Sequence, residues 1–318
     1  MNRLLAGLVL CGQIAWGSAF AQYPSKPVRL IVGFPPGGSA DAVARVVAQA
    51  LAPGLGQPVI VENRPGAESA TAAEQVTRAA PDGYTLFYGS SNSMTAPAAL
   101  RKVPPYDPTA DFTPISLIGD ATLFLCLHPS VPATTLAEFI SYARANPGKL
   151  NFGTGNPLAH LQTTALMKLA DISMLHIPYK GEAPAILDLI AGRVQLGFIT
   201  TTSVLGHAKE GKLRLLAVAL DERSPLAPAT PTLAEVGMPE PKLRAYAALF
   251  GPPRLPRDIV ERLSRELNAQ LKVAEVRGQL QRQGYFVRGS TPEGLAAVVK
   301  ENIASWKQAV RDAGLTLE

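Results

Sequence analysis

The sequence predicts an α/β protein of two doubly wound lobes joined by two crossover strands around a central cleft. Three observations predict it. Strand-like and helix-like segments alternate along most of the chain. The alternation breaks at "FTPISLIGDATLFLCLHP" (112–129) and at "RAYAALFGPP" (244–253), two extended runs with no helix inside. The chain has 318 residues, 47% hydrophobic and 17% charged, enough for two cores of ordinary size.

The elements follow in order. "VRLIVGF" (28–34) is an apolar run and reads as a strand. A helix pattern runs over Ala40–Leu51 and ends near Pro53-Gly54. "PVIVEN" (58–63) is a second strand, Pro65-Gly66 turns the chain, and Ala70–Ala80 is helical. Asp82-Gly83 opens the strand "TLFYGS" (85–90). After the first extended run come a helix at Thr135–Ala145, the strand "LNFGT" (150–154) and a helix at Leu158–Ala170. The strand "SMLHIPY" (173–179), a helix at Ala183–Ala191 and the strand "VQLGFIT" (194–200) come next. A helix at Val204–Glu210 and the strand "LRLLAVAL" (213–220) precede the second crossing. The end is helical at Arg257–Leu271, Val273–Gln283 and Pro292–Ala313. This gives one lobe of residues 22–122 with 245–318 and a second of 123–244.

Residues 1–21 stand apart. "MNR" supplies a positive start, Leu4–Leu10 an apolar stretch, and Ala19-Phe20-Ala21 a small-residue cleavage site. A periplasmic protein, exported and cleaved after Ala21, is expected. Cleavage leaves Cys126 as the one cysteine, so no internal disulfide forms. Cys126 sits in an apolar run and reads as a small buried hydrophobe. The formal charge of +5 loses one unit with Arg3. The remaining bases are scattered, which speaks against nucleic-acid binding.

In open α/β sheets, ligands lie beyond the C-terminal strand ends. Five loops belong there: "GFPPGGSAD" (33–41), "YGSSNS" (88–93), "FGTGNPLAH" (152–160), "IPYKGEAP" (177–184) and "FITTTS" (198–203). They offer glycines, hydroxyls, amides and helix starts, with few acids or bases. Gly37-Gly38 opens the backbone to a ligand, and Ser39 is a helix N-cap candidate, which makes an anion seat or a plain capped turn. Asp41 either stabilises the helix start or faces the cleft. His160 either orients the "GTGN" loop or faces the cleft.

Other chemistries are poorly served. No lysine follows the glycines as a Walker loop needs, and G-x-S-x-G is absent. Leu158 replaces the third glycine of a dinucleotide fingerprint. The four histidines form no H-x-x-x-H pair, so no metal site or cofactor is expected. No catalytic residue is assigned; an exported hydrolase using Ser39, Ser90 or Ser91 and an exported ligand sensor are the alternatives to a transport receptor.

Several segments, in order, resemble one family: "IVGFPPGGSADAVAR", "VIVENRPGA", "APDGYTL", "HIPYKGEAPAILDLIAGRV", "GKLRLLAVA", "RSPLAPATPTLAEVGMP" and "TPEGLAAVVKENIASWKQAV". From about Tyr23 onward the chain resembles the Bug family, the extracytoplasmic solute receptors of tripartite tricarboxylate transporters. The resemblance implies a type II periplasmic-binding-protein fold closing on a small organic acid, with a membrane permease as partner. It implies that Phe34–Asp41 hold a ligand carboxylate, partly through water, and that the "GTGN" loop completes the grip. The expected ligand-binding residues are Phe34, Gly37, Gly38, Ser39, Asp41, Ser90, Ser91, Asn92, Thr154, Gly155, Asn156, His160, Tyr179, Thr200 and Thr201. A monomer is expected. The chain departs from the family pattern at Glu68-Ser69, where glycines are usual, and at Gln195, where an acid is frequent.

Overall fold

The computed structural model describes residues 23–238 and 243–314, without the side chain of Glu68. The expected leader with its cleavage site, and the side chain of Glu68, lie outside the described residues.

The first lobe begins with β1 (Val28–Val32), α1 (Ser39–Leu55), β2 (Val59–Asn63), α2 (Ala70–Thr77) and β3 (Thr85–Ser90). Two short helices follow, α3 (Ser91–Met94) and α4 (Ala96–Leu100), before β4 (Thr113–Ala121). The second lobe holds β5 (Leu123–Leu127), α5 (Leu136–Ala145), β6 (Asn151–Thr154), α6 (Pro157–Ala170) and β7 (Leu175–Pro178). It continues with α7 (Glu182–Ile190), β8 (Leu196–Thr200), α8 (Thr201–Lys209) and β9 (Arg214–Val218). The chain returns through β10 (Tyr246–Gly251), α9 (Arg257–Gln270), α10 (Ala274–Arg282), β11 (Tyr285–Val287) and α11 (Pro292–Asp312).

Two sheets result. One has the order β11-β4-β10-β3-β1-β2, the other β7-β6-β8-β5-β9. β1 pairs in parallel with β2 and β3, and β6 with β7 and β8. The crossing strands run against these: β10 is antiparallel to β3 and β4, and β5 to β8 and β9. Thr122 alone separates β4 in one sheet from β5 in the other.

Each sheet is covered on both faces, and the sequence shows why. Along β1, Leu30 and Val32 face α1 and α9, while Ile31 faces the opposite layer with Val76 of α2 and Leu295 of α11. Along β5, Leu123, Leu125 and Leu127 join Phe139 and Leu161, while Phe124 and Cys126 join Ile186 and Val204. A strand buried on both faces must be apolar throughout, and this is why these segments lack alternation. Burial pushes the Cys126 thiol upward, away from thiolate chemistry. α11 bridges the lobes: Leu295 and Val299 pack in the first, Trp306 and Val310 in the second.

Local chemistry sets the ends. Thr135 accepts from Glu138 N–H at 3.2 Å and Glu138 accepts from Thr135 N–H at 3.3 Å, a reciprocal cap. α1 runs past Pro53 to Leu55 and stops where Gly56 turns left-handed at φ 70°. The pattern reading missed α3, α4 and β11, which are too short for a period to show. Among the described residues no helix is long and apolar enough to cross a membrane.

Candidate functional site

A cavity of about 270 Å³ lies between the lobes. It is built from strand-to-helix loops of both sheets, the two crossings, and the turn between α10 and β11. Of the residues expected from sequence, Phe34, Ser39, Ser90, Ser91, Asn92, Asn156, Thr200 and Thr201 line it. Gly37, Gly38, Asp41, Thr154, Gly155, His160 and Tyr179 do not line it.

The first loop shows how. Gly37, at φ +85°, turns its N–H back to the Asp41 carboxylate at 2.9 Å. Gly38, with φ −81°, is the N-cap of α1, and Ser39 is the first helical residue. The Ser39 hydroxyl donates to the Gln283 carbonyl at 3.5 Å instead of capping. Asp41 is 4% exposed. Its carboxylate accepts from Arg45 Nε and Asn63 Nδ2, both at 2.9 Å, as well as from Gly37. The Arg45 hydrogen bond, helped by Gly37 and Asn63 and opposed by burial, holds this carboxyl down to about 2. Asp41 therefore ties the loop to the end of β2.

On the second loop, Ser93 Oγ fixes the Ser90 backbone, accepting from its N–H at 3.0 Å and donating to its carbonyl at 3.2 Å. Ser90 Oγ is buried at the cavity beside the Ser93 N–H of its capping box, and its own proton meets no acceptor among the described residues. A buried hydroxyl left open in this way suits a ligand.

The second lobe is more committed. Asn156 caps α6 by accepting from Ala159 N–H at 2.9 Å, which leaves its amide N–H groups available. Thr200 donates both its N–H and its hydroxyl to Glu182, at 3.1 and 2.6 Å. Thr201 donates both of its protons to the Thr122 carbonyl, at 3.1 and 3.0 Å. Both threonines thus shape the cavity with their donors already spent. Behind them, Thr154 Oγ1 lies 2.6 Å from His176 Nε2, and the His160 and His176 rings stack at 3.9 Å. Burial, and then the neighbouring His160, push His176 down to about 4; burial also lowers His160. Both rings are neutral at pH 7. A Cβ on Gly155 would overlap Gly181, and the Tyr179 hydroxyl donates to Asp188 at 2.7 Å. Gln195 braces β6, accepting from Asn151 N–H at 2.8 Å and donating to Gly192 O at 2.7 Å.

Tyr88 and Thr202 belong to loops expected at the cleft but were not among the expected ligand contacts, and Thr122, Tyr246, Gln283, Gly284 and Tyr285 lie outside those loops; all seven line the cavity. Tyr88 and Thr122 were within reach, since each borders a recognised strand end. Tyr285 carried no signal, because β11 is three residues long. Burial raises Tyr88, Tyr246 and Tyr285 above the usual phenol range, so all three stay protonated. None of the residues lining the cavity is Asp, Glu, Lys, Arg or His. The starts of α1, α6 and α8 open on it with positive dipole character, although Asn156 takes the Ala159 N–H and Thr122 the Thr201 N–H. The lining is therefore neutral in formal charge, with helix-start dipoles directed into it and the Glu182 carboxylate behind Thr200.

Two covered α/β lobes, two connecting crossings and a donor-lined cavity between them define a two-lobed solute-binding protein. The family model described as "Tripartite tricarboxylate transporter family receptor" matches residues 43–315, and the chain belongs to that family of periplasmic receptors. It is 35% identical to Protein BugT of Bordetella pertussis, over 100% of this chain and 99% of BugT. It resembles the solved structure "R. palustris Rpa4515 with adipate", with 31% identity, 92% and 99% of the two chains covered, and a TM-score of 0.78. It also resembles MatC of Rhodopseudomonas palustris with bound malate, with 32% identity, 91% and 100% coverage, and a TM-score of 0.72. These relatives are binding receptors rather than enzymes.

Proposed function

We propose that the mature chain, released by cleavage after Ala21, captures a small carboxylate in the interlobe cavity and delivers it to a membrane permease, acting as a monomer. The observation that carries this reading is a cavity lined by neutral donors and helix starts from both lobes, with no charged side chain. Fixed dipoles stabilise an anion without the cost of burying a counter-ion. Ser90 Oγ, the Asn156 amide and Thr202 in the first turn of α8 are the donors open to a ligand oxygen. The relatives solved with adipate and malate support the ligand class. The hydroxyls a hydrolase would use, on Ser39, Ser90 and Ser91, share the lining with no imidazole or carboxylate to act as base.

The test is calorimetric titration with adipate, malate and their uncharged diamides. One or both acids should bind with micromolar affinity, and the diamides far more weakly. Diamides that bind as tightly as the acids would refute the anion reading.

A further inference from the structure

The phenols of Tyr88 and Tyr285 meet at the cavity, their oxygens 3.1 Å apart. Neither hydroxyl has another partner among the described residues. Two hydroxyls in one hydrogen bond use one of their two protons, so the pair holds a spare donor. Tyr88 is 1% exposed on β3, whereas Tyr285 is half-buried on β11. Either oxygen can donate in that bond; with Tyr88 donating, the spare proton sits on Tyr285, the less buried ring.

The strand that carries Tyr285 is held in place. Gly284, at φ +82°, accepts from Thr122 N–H at 2.8 Å, which pins the turn to the crossing between lobes. A Cβ on Gly284 would lie 3.0 Å from Thr201 Cβ, so the turn also touches the second lobe. The preceding Gln283 carbonyl accepts from Ser39. The turn before Tyr285 is thus anchored, and a phenolic donor on it without a protein acceptor is open to a bound group, whose arrival would bury it and require a partner.

Resting on the carboxylate reading above, we propose that Tyr285, oriented by Tyr88, donates its phenolic proton to an oxygen of the bound carboxylate and is a specificity-determining residue supplied by the C-terminal segment. Phenylalanine at either position keeps the ring and removes only the hydroxyl. At 285 it removes the donor that touches the ligand. At 88 it removes only the bond that orients that donor.

The experiment titrates wild type, Tyr285→Phe and Tyr88→Phe with adipate and malate and with the corresponding diamides, and records thermal midpoints without ligand. Tyr285→Phe should weaken acid binding about tenfold or more, because the lost bond was made to a charged acceptor. Its preference for acid over diamide should fall, and its midpoint should stay near that of wild type. Tyr88→Phe should lose less. Acid affinity of Tyr285→Phe within about twofold of wild type would overturn the assignment. So would equal losses in both variants that track a lowered midpoint, which is what a merely structural pair gives. If wild type binds neither acid, the carboxylate reading falls and this assignment with it; if wild type binds and Tyr285→Phe matches it, only the assignment falls.

Discussion

Asp41→Asn tests whether Asp41 serves the ligand or the loop. The carboxylate accepts three hydrogen bonds, from Gly37 N–H, Arg45 Nε and Asn63 Nδ2, each at 2.9 Å. Asparagine keeps one acceptor oxygen and turns the other position into a donor facing donors. The folded state holds this carboxyl down to about 2 against an ordinary 3.8. A lowered carboxyl contributes stability that is present above the unfolded value and lost as pH falls through the folded one. With the half-exposed Arg45 screening part of the gain, that linkage is worth on the order of 2 kcal/mol at pH 7 and about half of that at pH 3. Asp41→Asn should therefore lower the thermal midpoint by roughly 3–4 °C at pH 7 in a chain of this size. The gap should narrow by about half at pH 3. Melting curves by circular dichroism at both pH values provide the measurement. An unchanged midpoint at pH 7 would refute the bracing role, as would a gap that is the same at both pH values.

Two further outcomes are expected. Ser69 sits at φ +78°, is 1% exposed, and its hydroxyl has no partner among the described residues; Ser69→Gly should raise stability by about 1 kcal/mol, read as a higher midpoint, and a lower one would refute the strain. Gly284→Ala places a Cβ 3.0 Å from Thr201 Cβ on a backbone at φ +82°. It should lower the midpoint by a few degrees and reduce the contraction on ligand binding seen by small-angle scattering; full contraction would show that the turn does not limit closure.

The sequence by itself determined the layered architecture and the place of the cleft. A doubly covered strand has to be apolar on both faces, and β1 and β5 say so in their composition. The two helix-free runs marked the crossings because a chain that must pass between lobes has no room for a helix there. The loops at the strand ends were legible for the same reason: glycine, hydroxyl and amide residues gather where a strand gives way to a helix start. What each side chain does in those loops was decided only by the tertiary structure. Asp41 and Ser90 are both small polar residues at helix starts. Asp41 is consumed by Arg45, Asn63 and Gly37, while Ser90 Oγ is left open. Thr200 and Thr201 look like donors in sequence, yet Glu182 and Thr122 take their protons. Tyr285 reaches the cavity from 197 residues beyond Tyr88 on a three-residue strand. No local pattern encodes such a meeting, because hydrogen-bond partners and cavity walls depend on which distant segments the fold brings together.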